Sequence, residues 1–358
     1  MKTYTEKDKK ALIILDSLNF LSYNQKRDIL ARYDLPSEIF ENKEPCFTLL
    51  DSWGKSDKKG ALDYALHEEY FTFLSKTYGK VEYVTYLDEA YPKRFTFADD
   101  YPIVLYCFGN LSLLNAATTL GVSGSRKTLK VALALCEAVI KECEESVTFV
   151  CGNSEGVETL ALNSVSNGNA VCILAGGFKR IYPEHSRQTV LKTAKEGLVI
   201  SEYPPFENVK QYYFARRNRL IALLSDTLFI VSGSLKSGVR STVDGALDYG
   251  KDIYAIPYNV DEESGALCNE LIKSGAYCVT GIEDFQTKYS IERKKTQKNF
   301  TPLQRKVYDI ISDGIKNTDK IIEASGLKSE EVLTALVMLE LDGVLIKTGA
   351  DEYSITRF

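Results

Sequence analysis

Histidine is almost absent from this chain: His67 and His185 are the two in 358 residues. That is too little imidazole for a histidine-ligated metal centre or for histidine-driven acid–base work. The eight cysteines never form a CxxC pair, and most lie in apolar runs such as "AVCILAGG". Reduced core thiols are therefore expected in place of disulfides or zinc ligands. No run approaches the ~20 apolar residues of a membrane span. The opening "MKTYTEKDKK" carries no apolar signal region, so a cytoplasmic protein with no membrane partner is expected. No GxxxxGK precedes a serine or threonine, which disfavours a P-loop nucleotidase. A net charge of −5 gives no global basic field, so any nucleic-acid site must be a local patch.

Three grammars follow one another along the chain. Residues 1–80 carry apolar residues at helical spacing, as in "EKDKKALIILDSLNFL" and "YNQKRDILARYDL", and read as a cluster of small helices. Residues 81–286 alternate short apolar runs with glycine turns and helices. "TTLGVSGSRKTLKVALALCEAVIKEC", "SVTFVCGNSEGVETLALNSV" and "NAVCILAGGFKRIYPEHSRQTVLKTAKEG" repeat the pattern, which calls for an α/β core with a parallel sheet covered on both faces. Residues 287–299 are polar and basic and read as a linker. Residues 300–358 give three helical segments and a hairpin, the plan of a winged helix.

Ligands of open parallel sheets bind beyond the carboxyl ends of the strands. Four loops expected there are rich in glycine, serine or positive charge: Gly124-Ser125-Arg126-Lys127-Thr128, Gly152 to Gly156, Gly176-Gly177-Phe178-Lys179, and "GSLKSGVRST" with Ser237, Gly238, Arg240 and Ser241. Free amides and helix N-termini make such loops anion sites. The segment "YYFARRNRLIALLSD" adds Arg216, Arg217, Asn218 and Arg219. At 100° per residue Arg217 falls within the stripe of Phe214, Leu220, Ile221 and Leu224, and Asn218 borders it. An inward guanidinium must be paired with an anion or with carbonyls, and a buried structural ion pair is one such arrangement. The nearby carboxylates Glu155, Glu158 and Glu202 show no catalytic pairing.

These segments together resemble the DNA-processing protein A (DprA/Smf) family over almost the whole chain. "YPKRF", "YPIVLYCFGN", "GVSGSR", "ISEYPPF", "FARRNRLIALLSD", "SGVRSTVDGALDYGKDIYAIP" and "SGALCNELIKSGA" carry the likeness, and "LKSEEVLTALVMLELDGVLIKTGADEYSI" resembles its winged-helix tail. The resemblance implies a Rossmann-like core and a cytoplasmic homodimer. It also implies binding of single-stranded DNA, delivered to the RecA recombinase during natural transformation with no cofactor and no catalysis. Carried over residue by residue, Gly124, Ser125, Arg126, Lys179, Arg217, Asn218, Arg219, Ser237 and Gly238 are the implied phosphate-binding set. Gly176, Gly177, Lys127, Thr128 and Arg240 are possible additions. The chain departs from the family pattern at Glu158, where aspartate is usual, and at Leu162, usually histidine. Ser232 replaces an acid and Ala215 a proline.

Two further expectations complete the reading. A Rossmann-like nucleotide-binding protein, or a phosphoribohydrolase similar to the "lonely guy" enzymes, is the alternative. Its "PGGxGTxxE" loop is here "SGSLKSGVRSTVD", with Asp244 at best for the glutamate. Tyr182, Tyr203, Tyr212 and Tyr213 are either base-stacking platforms or packing residues. The third helix of the tail has Glu330, Glu331, Glu340 and Asp342 against Lys328. That makes it a poor reader of duplex DNA and a better protein-contact or dimer-supporting element. The N-terminal helices read as an interaction module of the sterile-alpha-motif kind.

Overall fold

The computed structural model describes residues 4–291 and 300–355. Five helices open the chain: α1 (Glu6–Ser17), α2 (Tyr23–Leu30), α3 (Glu44–Ser52), α4 (Lys59–Ala65) and α5 (Glu68–Tyr78). Capping boxes at Thr5/Asp8 and Ser22/Gln25 fix the starts of α1 and α2. Their apolar residues form one cluster with Ile103, Val104 and Tyr106 of the following domain. At that contact Lys26 Nζ lies 2.9 Å from Asp16 Oδ1, and the Tyr106 hydroxyl donates to Asp16 Oδ2 at 2.8 Å. The Tyr106 hydroxyl, bonded to that buried ion pair, thus ties the helices to the sheet.

The core strands are β1 (Glu82–Thr85), β2 (Val104–Gly109), β3 (Thr119–Ser123), β4 (Thr148–Cys151), β5 (Ala170–Leu174), β6 (Leu198–Ser201), β7 (Thr227–Ile230), β8 (Asp252–Ala255) and β9 (Tyr277–Cys278). They form one sheet in the order β1-β2-β6-β5-β4-β3-β7-β8-β9. From β6 to β9 every pairing is parallel. β1 and β2 add an antiparallel edge that the sequence pattern did not disclose. Helices α6 (Lys130–Cys143), α7 (Val157–Ser164), α8 (Arg187–Glu196), α9 (Gln211–Leu224), α10 (Val239–Asp248), α11 (Ala266–Lys273) and α12 (Glu283–Tyr289) link and cover the strands.

Alternation along the strands builds a core on each face. Val150, Val171, Ile173, Ile200 and Ile230 face α9 and α10, while Phe149, Cys151, Cys172, Val199 and Phe229 face α6, α7, α8 and α12. The near-continuous apolar runs are what a sheet buried on both sides requires.

The tail comprises α13 (Pro302–Ser312), α14 (Thr318–Ser325) and α15 (Ser329–Leu341), then β10 (Leu345–Lys347) paired antiparallel with β11 (Tyr353–Ile355). This is the expected winged helix. The expected linker lies mostly at 292–299, outside the described residues. Its first residues, Thr287 to Tyr289, instead close α12. Among the described residues, no helix is long and apolar enough to cross a membrane.

Candidate nucleic-acid interface

Strand order reverses at β3. The chain builds β4, β5 and β6 to one side, then crosses to β7 on the other. Loops leaving β3 and its neighbours therefore splay apart at their carboxyl ends and open a crevice. A cavity of about 430 Å³ fills that position, and Gly124, Ser125, Arg126, Arg217, Asn218, Ser237 and Gly238 line it with Ser123, Ser154, Glu158, Phe214 and Val239. Seven of the nine residues of the implied phosphate-binding set thus meet in one place.

Arg217 is the buried floor, 2 % exposed. Its Nη1 donates to the Ile173 carbonyl at 3.2 Å and its Nη2 to Ser154 Oγ at 3.3 Å. Glu158, also buried, sets Oε2 3.4 Å from Nη2 and accepts the Ser154 amide at 2.8 Å. The inward arginine therefore has its carboxylate within the protein. Gly152 makes room for it: a Cβ there would overlap the guanidinium and the Glu158 carboxylate. On residues that line the cavity, Arg217 Nε, Asn218 Oδ1 and Ser237 Oγ are buried without a hydrogen-bond partner. Unpaired buried polar atoms are costly unless a guest or water meets them. The Asn218 amide nitrogen donates to the Gly238 carbonyl at 3.1 Å and Ser241 Oγ at 2.7 Å, fixing α9 to the start of α10. First-turn amides of α10, which lack an i−4 acceptor, open at Gly238 and Val239 beside the cavity.

Other expected residues fall elsewhere. Arg219 turns away from the cavity, with Nε 2.9 Å from Asp100 Oδ2 and Nη2 bonded to Glu202, which Arg216 also approaches at 3.5 Å. Arg240 pairs with Asp244 and Glu270, each at 3.0 Å. Gly176 and Gly177 serve packing: the Gly177 amide donates to the Glu207 carbonyl at 3.0 Å, and the Gly176 carbonyl accepts from Ser201 Oγ at 2.9 Å. Thr128 shares its hydroxyl with Ser232 Oγ at 2.6 Å, and Ser232 also accepts the Ser125 amide at 2.9 Å. The serine at the end of β7 thus staples the β3 loop, and the adjoining groove of about 460 Å³ holds Lys127 and Thr128. Leu162 is a core residue.

Lys179 lies outside the cavity, in the turn Phe178–Arg180 after β5. Two strand spacings of ~4.8 Å separate the ends of β3 and β5, and Lys179 follows the β5 end by five residues, its amide donating to the Pro205 carbonyl at 2.7 Å. Arg126, Lys127, Lys179, Arg180 and Lys236 are all exposed, and none has a carboxylate partner among the described residues. The positive charge available to a ligand therefore sits on these rim residues, while the helix arginines are neutralised from within.

Sequence reasoning did not single out Phe214 and Ser154 as lining residues. Ser154 lay in a loop already recognised, but Phe214 carries only an apolar-stripe signal. Its ring meets exposed Tyr182 edge-on at 6.2 Å. Tyr203 and Tyr213 are buried against each other with centroids 3.9 Å apart. Among the described residues, no group of three or more His, Cys, Asp or Glu side chains is placed to hold a metal ion. Burial pushes the Cys172 and Cys268 thiols up to about 12, far from the reactive range.

The model of the DNA recombination-mediator protein A family matches residues 82–290, and that of the DprA winged helix domain matches residues 292–348. The DNA processing protein DprA of Streptococcus pneumoniae is 31% identical over 223 residues, covering 61% of this chain and 79% of that protein. The X-ray structure of DprA from Streptococcus pneumoniae superposes with a TM-score of 0.62 at 26% identity, covering 82% of this chain and 100% of that one. A Helicobacter pylori DprA structure, described for its unique single-stranded DNA binding mode, gives a TM-score of 0.54 at 27% identity over 58% of this chain and 96% of that one. With a Rossmann-like sheet, a winged-helix tail, and the two family models together matching more than half of its length, the chain belongs to the DprA/Smf family.

Proposed function

We propose that this protein binds single-stranded DNA along the carboxyl edge of its sheet, without catalysis. One observation carries the reading: exposed Arg126, without a carboxylate partner, lines the cavity at the strand reversal, and Lys127, Lys179, Arg180 and Lys236, likewise uncompensated, lie on the loops that follow β3, β5 and β7. The Helicobacter pylori relative, described for its single-stranded DNA binding mode, supports it. Arg126, Lys127, Lys179, Arg180 and Lys236 meet phosphates from outside. Ser125, Ser237 and the α10 amides at Gly238 take a phosphate inside. Arg217 forms the floor, Asn218 fixes α9 to the start of α10, and Arg219 holds the helix in place behind them.

Such binding falls with salt and varies little with base sequence. Titration of fluorescent single-stranded oligonucleotides across a salt series tests it. Replacing Arg126 and Lys179 with alanine should lower the slope of log K against log salt by about 1.4, at ~0.7 per lost phosphate contact. An unchanged slope and affinity in the folded double variant overturns the assignment.

As the finer role we propose a cytoplasmic homodimer that passes the strand to the RecA recombinase during natural transformation. Mass measurement and co-sedimentation with RecA on a coated strand test those two steps. Against nucleotide cleavage stands Glu158, tied to Arg217 and the Ser154 amide rather than free to act as acid or base. Incubation with AMP should release no adenine.

A further inference from the structure

α15 is apolar on both sides. Val332, Ala335, Leu336 and Leu339 are buried against Val307, Ile311 and Ile321 of the winged-helix domain. On the other side Leu333, Val337, Met338 and Leu341 are 47–76 % exposed. At 100° per residue these four lie within an arc of about 140°, so they form one continuous stripe. A helix apolar all round belongs in an interior, and here the domain supplies cover for one side alone.

The stripe is framed by negative charge. Glu330 and Glu331 stand at its start, Glu340 and Asp342 at its end, all exposed. None forms a salt bridge among the described residues; Asp342 merely approaches the Gln304 amide at 3.5 Å. Glu331 also accepts the Lys328 amide at 3.0 Å as part of the helix cap, but none of the four carboxylates is paired with a cation, so together they repel a phosphate backbone where many winged helices read duplex DNA. A second copy fits no better. Both ends of the stripe are acidic, so either direction of pairing sets carboxylates against carboxylates.

We propose that this face of α15 is a docking surface for a partner protein that presents an amphipathic helix flanked by lysine or arginine. Its leucine-type residues would cover the stripe at i, i+3 and i+4 spacing, and its cations would meet Glu330 and Glu340.

The test uses the full chain and a fluorescent synthetic peptide whose leucines fall on one helical face and whose other positions are lysine. A control peptide of the same composition has its leucines scattered around the helix. The patterned peptide should bind at least tenfold more tightly than the control. Val337→Lys with Leu341→Lys should weaken it at least tenfold. Glu330→Lys with Glu340→Lys, which leaves the stripe intact, should do the same and remove its salt dependence. Circular dichroism confirms that the variants fold, since all four positions are exposed. Equal binding of the two peptides overturns the proposal, as does full binding by either double variant. Displacement of the peptide by duplex DNA, or a concentration-dependent dimer that Val337→Lys with Leu341→Lys dissolves, overturns it in favour of those occupants.

Discussion

Arg217 and Glu158 sit 3.4 Å apart, both almost wholly excluded from solvent, beneath the cavity at the strand reversal. The arginine of the RNR string is thus held by an internal counter-ion. Removing one partner strands the other in a low-dielectric site. Arg217→Ala should lower stability by about 3–5 kcal/mol, read from the urea midpoint. Arg217→Met combined with Glu158→Gln should recover most of that loss, since no bare charge remains. If the double variant is no more stable than the single, the pair is not coupled as described.

Two glycines at the cavity should answer differently to alanine. At Gly152 the new Cβ overlaps the Arg217 guanidinium, and overpacking of this kind costs about 1–3 kcal/mol. Gly238 has helical φ of −61 and nothing within 4 Å of a built Cβ, so Gly238→Ala should keep the midpoint. Its methyl group stands where a phosphate would approach the α10 amides, and oligonucleotide affinity should fall at least fivefold. Retained affinity in Gly238→Ala would remove that helix start from the site.

The four tyrosines divide in pairs. Tyr182 and Tyr212 are 54% and 60% exposed, Tyr182 edge-on to the cavity-lining Phe214 and Tyr212 in the first turn of the same helix. Alanine at either should leave the fold intact and cost about 1–3 kcal/mol of single-strand binding, the worth of one stacked base. Tyr203→Ala and Tyr213→Ala should instead lower the thermal midpoint, because those rings cover each other. Fluorescence titration and thermal melts on the same four variants separate the classes.

Thiol chemistry gives an independent check on burial. Seven cysteines are buried and Cys278 is exposed, so a thiol reagent at pH 8 should label one site in the native protein and eight after denaturation. Burial raises the Cys143, Cys172 and Cys268 thiols from 9.0 to about 12. Above pH 9 the unfolded chain releases protons that the folded chain retains. Stability should therefore decline as pH climbs from 9 toward 12, and stay insensitive to these groups below 9. A native protein that labels at several sites would contradict the packed core.

Much of this arrangement was legible because it is local. Helical periodicity placed Arg217 inward, and glycine-rich strand ends placed the crevice. What stayed hidden depends on chain-distant neighbours. Arg219 looked like a second phosphate ligand until Glu202 and Asp100 reached it from other loops. Gly176 and Gly177 read as an anion loop, yet the Glu207 carbonyl takes the Gly177 amide, Pro204 and Pro205 crowd Gly177, and Val209 crowds Gly176. The antiparallel pairing of β1 and β2 left no periodicity of its own, because β2 is buried on both faces like its parallel neighbours. Phe214 belonged to the predicted stripe, but the first turn of α9 overhangs the sheet edge, where that stripe meets the cavity instead of the core.

The contact of Asp16 with Lys26 and Tyr106 bears on how this protein tolerates fragmentation. A shortened version beginning at Glu82 would leave Ile103, Val104 and Tyr106 as an oily wall facing water, and a tyrosine hydroxyl deprived of its acceptor. Such a fragment should be recovered from inclusion bodies, not from the soluble fraction. The amino-terminal helices are in this respect a lid sealed to the sheet rather than an accessory strung beside it.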